Sequence, residues 1–168
     1  GCHGREIKDV LESAHGFTLD GTPKTIPAAE IRFAYRSAVY PEEVLLTAAT
    51  FLLAAGDPDE VAARRKRYHE HRLRTQPKGR SVGSVFKNPP GDFAGRLIET
   101  AGLKGRRVGG AVVSEKHANF ILNEGTATAA DLEALIDLVR ETVRARHGVD
   151  LELEARIVGE PAREDAVR

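Results

Sequence analysis

The stretch Thr128–Val158, TAADLEALIDLVRETVRARHGVDLELEARIV, changes its hydrophobic period at Gly148. Up to that glycine, Leu132, Leu135, Ile136, Val139 and Val143 recur three and four residues apart and form one stripe of a helix. Thr128 followed by Asp131 is an N-terminal capping pattern, and Gly148 is a C-terminal stop. Beyond it, Leu151, Leu153, Ala155 and Ile157 alternate with Glu152, Glu154, Arg156 and Val158, the period of a strand. A long amphipathic helix running into a strand predicts an α+β fold.

Working upstream, Ala111–Val113 and Asn119–Leu122 read as two further strands. Asp92 is expected to cap a short helix through Leu97, Ile98 and Ala101, with Gly102 ending it. Before it stands GSVFKNPP, residues 83–90, a short strand closed by two prolines. Asp57-Pro58-Asp59-Glu60 opens a basic helix that runs to about Arg72 and breaks at Gln76-Pro77-Lys78-Gly79. Residues 5–34 read as short strands, with a hairpin at Asp20-Gly21. Residues 43–54 fit a strand or a helix equally by periodicity. A domain boundary is expected near the basic helix, giving segments 1–56 and 57–160 and a tail at 161–168.

The 168 residues are 41% hydrophobic and 30% charged, the composition of a soluble globular protein. Lys plus Arg balances Asp plus Glu at 25 each, which argues against a dedicated nucleic-acid or membrane-surface binder. The longest apolar run, Val44 to Gly56, is too short and too rich in Thr and Ala to span a bilayer. The single cysteine, Cys2, rules out an internal disulfide framework and fits a reducing, cytoplasmic setting.

Several groups offer chemistry. The basic helix carries Arg64, Arg65, Lys66, Arg67, Arg72 and Arg74. Those cations suit a solvated face, nucleic-acid phosphates, or a pyrophosphate contact from one or two arginines. Tyr68 is the sole aromatic among them. His69 and His71 stand two apart, so on a helix their rings diverge and cannot share a metal. Arg36, after the strand at Ile31–Phe33, can fork onto a carboxylate or lie on the surface. Glu154 is a general acid or electrostatic partner if its strand face lines a cleft, and a solvated edge residue otherwise. Ser84 lacks a Gly-x-Ser-x-Gly elbow and an evident histidine base, so a serine hydrolase is disfavoured; its hydroxyl can still donate a proton, and Asn88 can hold a polar ligand. No Gly-x-Gly-x-x-Gly or Walker loop is in the sequence.

Taken together, GSVFKNPP, AGRLIETAGLKG, VSEKHANFILN and GVDLELEARIVG closely resemble the UDP-N-acetylenolpyruvoylglucosamine reductases. GCHGREI, FAYRSAVY and RLRTQP extend the resemblance upstream, from Gly1 to about Gly159. The resemblance implies the end of a PCMH-type FAD-binding domain, then a small mixed α/β substrate-binding domain. It further implies a C-terminal portion without the N-terminal flavin-binding lobe, inactive in isolation. The implied cofactors are FAD and NADPH, and the implied substrate is UDP-N-acetylglucosamine enolpyruvate, reduced during peptidoglycan precursor synthesis by a cytoplasmic monomer. Ser84 would protonate the substrate, with Arg36 and Glu154 stabilising an enol-type intermediate. Tyr35, Lys87 and Asn88 would contact substrate, and Arg36 and Arg74 the cofactor. Ala38 stands where that family commonly carries Ser or Thr. The alternative is a non-catalytic nucleotide- or RNA-binding module using the basic helix, residues 61–74.

Overall fold

A computed structural model describes residues 3–159; Gly1, Cys2 and the tail expected at 161–168 lie outside the described residues. The chain divides into two compact units, Gly1–His71 and Arg72–Arg168, and the division falls inside the basic helix.

The first unit is built on an antiparallel sheet of β1 (Leu11–Thr18), β2 (Pro23–Pro27) and β5 (Val44–Phe51), in the order β2-β1-β5. The hairpin expected at Asp20-Gly21 joins β1 to β2, pairing Phe17 with Pro23. Pro23 is tolerated because it opens an edge strand, where its missing N–H interrupts no ladder. Between them in sequence and β5 lies a second hairpin, β3 (Arg32–Ala34) with β4 (Ser37–Val39). Residues 43–54, ambiguous by periodicity, are a strand at β5, paired to β1. Ala14, Ile26 and Ile31 make a small core, whereas Leu45, Leu46 and Phe51 of β5 remain exposed.

Helix α1 (Pro58–Thr75) follows. Asp57 caps it as expected, its Oδ1 accepting from the N–H groups of Asp59 at 2.9 Å and Glu60 at 3.0 Å. The helix reaches three residues past Arg72, and no α1 residue is buried. No helix among the described residues is long and apolar enough to cross a membrane.

The second unit holds α2 (Ala94–Thr100), a three-stranded antiparallel sheet of β6 (Arg107–Val108), β7 (Ala111–Val113) and β8 (Ile121–Asn123), and α3 (Ala129–His147). The amphipathic stripe packs as the sequence indicates. Leu135, Ile136, Val139 and Val143 are buried with Leu97, Ile98, Ala111 and Val113 in one continuous core. Thr128 and Asp131 close a reciprocal capping box, and Gly148 ends α3 at φ 67°, in the left-handed region that suits glycine.

Three local expectations are corrected. The strand placed at Asn119–Leu122 begins at Ile121, because Asn119 spends its side chain bridging to another segment. The strand placed from Leu151 onward is reduced to one bridge, Leu153 opposite Phe86. The N–H groups of Glu154 and Ala155 both donate to the Val85 carbonyl, a bulge that breaks the ladder, and Ile157 is left exposed. Asp92 does not cap α2, whose N-cap is Phe93; its carboxylate holds the Phe93 N–H and the Arg96 guanidinium instead.

Candidate functional site

The segment Gly83–Asn88 carries three of the candidate residues, and no regular strand holds it. Two isolated bridges fix it, Ser84 opposite Phe120 and Phe86 opposite Leu153. Val85 and Phe86 are 1% and 2% exposed, so the core anchors the middle of the segment and leaves Ser84 and Lys87 half-buried at its flanks. Gly83 has φ 89°, a conformation glycine adopts freely, while a Cβ there would meet nothing within 4 Å. Its value to the fold is therefore backbone conformation.

Hydrogen bonds close both edges of the segment. On one side the Val85 N–H donates to the Asn119 carbonyl at 2.9 Å. The Asn119 side chain then takes the Phe86 N–H on Oδ1 at 2.9 Å and gives its Nδ2–H to the Phe86 carbonyl at 2.8 Å. On the other side the Lys87 N–H donates to the Glu152 carbonyl and the Glu154 N–H to the Val85 carbonyl, both at 2.8 Å. Glu154 is thereby held one residue from Ser84 across the pairing, and it is half-buried rather than on a solvated edge. The Lys87 ammonium is ion-paired with Glu152.

Beyond the segment lies a cleft of about 400 Å³ lined by Ser84, Asn88, Arg96, Lys116, His117 and Asn119. The Asn88 Oδ1 accepts from the Ala94 N–H at 3.0 Å, satisfying a donor of the first turn of α2. The Arg96 guanidinium, with the Phe93 N–H, holds the Asp92 carboxyl down at about 2. Ser114 is buried, and its Oγ accepts from the N–H groups of Lys116 at 3.1 Å and His117 at 3.3 Å, shaping the turn that presents both side chains. The Lys116 ammonium donates to the Leu73 carbonyl in the last turn of α1, at 2.6 Å. Burial pushes the His117 pKa below its ordinary value. Its Nδ1 accepts the Asn119 N–H at 3.2 Å, so the neutral ring carries its proton on Nε2.

Chemically, the cleft combines an alcohol, two amides, a guanidinium, an ammonium and a neutral imidazole donor with the Glu99 carboxylate, a set suited to a polar ligand. Ser84 and Asn88 both line this cleft; Lys87 and Glu154 do not, Glu154 being paired to Val85 along the other edge of the segment. Tyr35 and Arg36 belong to the first unit, as the two-residue turn between β3 and β4. Arg36 adopts φ 55°, unusual for a residue with a side chain, and its guanidinium carbon lies 5.5 Å from the Tyr35 ring centroid. Arg74 is exposed on the last turn of α1. Lys116, His117 and Asn119 were not singled out from sequence. The signal was a polar residue between Ala118 and Phe120, both of which are buried.

Comparison with known proteins gives this arrangement its class. A family model described as the C-terminal domain of UDP-N-acetylenolpyruvoylglucosamine reductase matches residues 75–158, which takes in the whole cleft. The UDP-N-acetylenolpyruvoylglucosamine reductase of Anaeromyxobacter sp. (strain Fw109-5) is 47% identical over 161 residues, covering 95% of this chain and 50% of that protein. That of Geobacillus kaustophilus (strain HTA426) is 45% identical over 162 residues, covering 95% of this chain and 53% of that protein. The crystal structure of UDP-N-acetylenolpyruvylglucosamine reductase from Thermus caldophilus superposes with a TM-score of 0.81 at 37% identity, over 93% of this chain and 56% of that one. The α+β fold is thus that of the carboxyl-terminal part of a reductase. The chain belongs to the UDP-N-acetylenolpyruvoylglucosamine reductase family. It spans about half the length of the curated relatives it matches.

Proposed function

We propose that this chain supplies the substrate-binding and protonating part of a reductase acting on UDP-N-acetylglucosamine enolpyruvate in peptidoglycan precursor synthesis. The observation that carries the reading is the Ser84 segment, pinned on both edges and opening with Asn88 on a polar cleft inside the family-matched region. Arg36 and Arg74 are assigned to FAD, each being an exposed guanidinium of the kind that binds phosphate, and the chain contributes no glycine-rich phosphate loop. FAD reduced by NADPH would supply the hydride.

Hydride addition at the enolpyruvyl methylene drives negative charge toward the substrate carboxylate. Arg36 is assigned to meet that charge, because a guanidinium gains more from the developing anion than from the ground state. Glu154 is assigned to the same intermediate from the segment paired with Ser84. The Ser84 hydroxyl gives its proton to the adjacent carbon, a step open to a weak acid because the carbanion-like centre is strongly basic. Asn88 and Tyr35 contact the substrate. Lys87 joins them by exchanging Glu152 for a substrate anion. On this reading the protein acts as a monomer in the cytoplasm and engages neither nucleic acid nor membrane. The RNA-binding alternative finds little support in α1, whose single aromatic, Tyr68, is already stacked on His3 at 3.8 Å.

The test is Ser84→Ala in the full-length reductase carrying this chain. Flavin reduction by NADPH should stay fast while reoxidation by the enolpyruvyl substrate stalls. Reoxidation near the parent rate would remove Ser84 as the proton donor.

A further inference from the structure

We propose that Asn119 is the positioning residue for the Ser84 hydroxyl, an inference that rests on the proton-donor reading above. At 4% exposure the Asn119 amide is closed to solvent, so its donor and acceptor must be satisfied within the protein. It satisfies them on a single residue, with Oδ1 on the Phe86 N–H and Nδ2 on the Phe86 carbonyl. A strand neighbour would make the same pair of bonds from its backbone. Asn119 makes them with its side chain, while its own carbonyl takes the Val85 N–H.

The substitution of a side chain for a strand has a geometric cause. The segment has only the isolated bridges at Ser84 and Phe86, and a ladder that short leaves the backbone free to slide or twist. Three bonds from one residue remove that freedom at 85 and 86 along the edge toward Ser84's cleft. The bonds to Glu152 and Glu154 hold the other edge, and the buried Phe86 side chain fixes the rotation about the segment. Ser84 follows as the next residue out. Asn119 itself is seated by its N–H to His117 Nδ1, so the cleft wall and the hydroxyl share one frame. Only an amide of this length serves: a carboxylate opposes an oxygen to the Phe86 carbonyl, and a longer amide adds a methylene to a closed space.

A proton donor is sensitive to small displacements, since misplacing a reacting group by about 1 Å costs roughly 100-fold in rate. The experiment uses the full-length reductase, with Asn119→Asp, Asn119→Ser, Ser84→Ala and each Asn119 variant combined with Ser84→Ala. Flavin reduction by NADPH, flavin reoxidation by the enolpyruvyl substrate, and hydrogen exchange of the peptide spanning 84–88 are measured on each. Expected are faster exchange in that peptide, flavin reduction at the parent rate in the two Asn119 single variants, and reoxidation slowed about 100-fold. In the Ser84→Ala background the Asn119 substitutions should add no further loss, because the group they position is gone.

Additive losses in the double variants overturn the proposal, as does parent-rate reoxidation in the Asn119 single variants while Ser84→Ala is slow. Loss of flavin reduction in both Asn119 variants also overturns it, because Asn119 would then hold the fold. If Ser84→Ala itself reoxidises at the parent rate, the proton-donor reading fails and the positioning role falls with it.

Discussion

Gly95→Ala sets helix propensity against the shape of the cleft. A Cβ on Gly95 would lie 3.1 Å from His117 Cε1, 3.5 Å from Nδ1 and 3.8 Å from Asn119 Cβ. Gly95 lies in the first turn of α2, so replacing it by alanine gains at most about 0.5–1 kcal/mol, the value for a helix interior. Carbon atoms rest at about 3.5–4.0 Å, so the imidazole must retreat by roughly half an ångström. Its movement is resisted by the Asn119 N–H on Nδ1 at 3.2 Å and by the edge contact with Phe120 at 4.9 Å between centroids. A neutral hydrogen bond and an aromatic edge contact contribute about 1 kcal/mol each, and half an ångström forfeits a fraction of both. The two effects nearly cancel, and the denaturation free energy should move by less than about 1 kcal/mol. The His117 ring resonances should shift clearly, and the KM for the enolpyruvyl substrate should rise in the full-length reductase. The paired readouts are urea denaturation and imidazole NMR. Stabilisation by the full helix gain with His117 unmoved would show that the methyl meets nothing and that Gly95 does not set the position of the ring.

Two further predictions follow from the charged and strained residues. The Asp92 carboxyl, held at about 2 by Arg96, contributes stability that is complete above its ordinary value of 3.8 and lost as pH falls toward 2. Carbon NMR should find that low midpoint, and Arg96→Ala should return it toward 3.8; an ordinary midpoint in the parent would contradict the pairing. Arg36→Gly relieves a side chain at φ 55°, a conformation costing about 1–2 kcal/mol in non-glycine residues, so denaturation should find the variant at least as stable as the parent. Substrate-driven reoxidation should collapse at the same time, and a clear loss of stability would locate the role of Arg36 in the fold instead.

What the sequence disclosed divides along the range of the interactions. Helix α3 was legible because its stripe, capping box and terminal glycine all act within one turn of their positions. Asp57 at the head of α1 was legible for the same reason. Asp92 misled, because the cap signal ignores a tertiary competitor: Asn88 supplies the acceptor for α2, and Arg96 claims the aspartate. Residues 43–54 could not be resolved by period since β5 is exposed along nearly its whole length, leaving no buried face to set an alternation. The Ser84 segment was half-legible. Its apolar centre showed, but its partners lie 33 and 67 residues away, at Asn119 and Leu153, and no local pattern names them. The roles assigned to Arg36, Ser84 and Glu154 came from matched motifs, whereas the amide that frames Ser84 emerged from burial and hydrogen bonding.

The exposed strand β5 bears on how this polypeptide behaves in solution. Among the described residues it bonds to β1 on one side, and its other edge offers unpaired amides and carbonyls beside Leu45, Leu46 and Phe51. Such an edge is a template for strand addition by any extended chain that meets it, identical copies included. Association of this polypeptide through that edge is the expected consequence, and acidic or lysine substitutions along β5 are the natural means of keeping it dispersed.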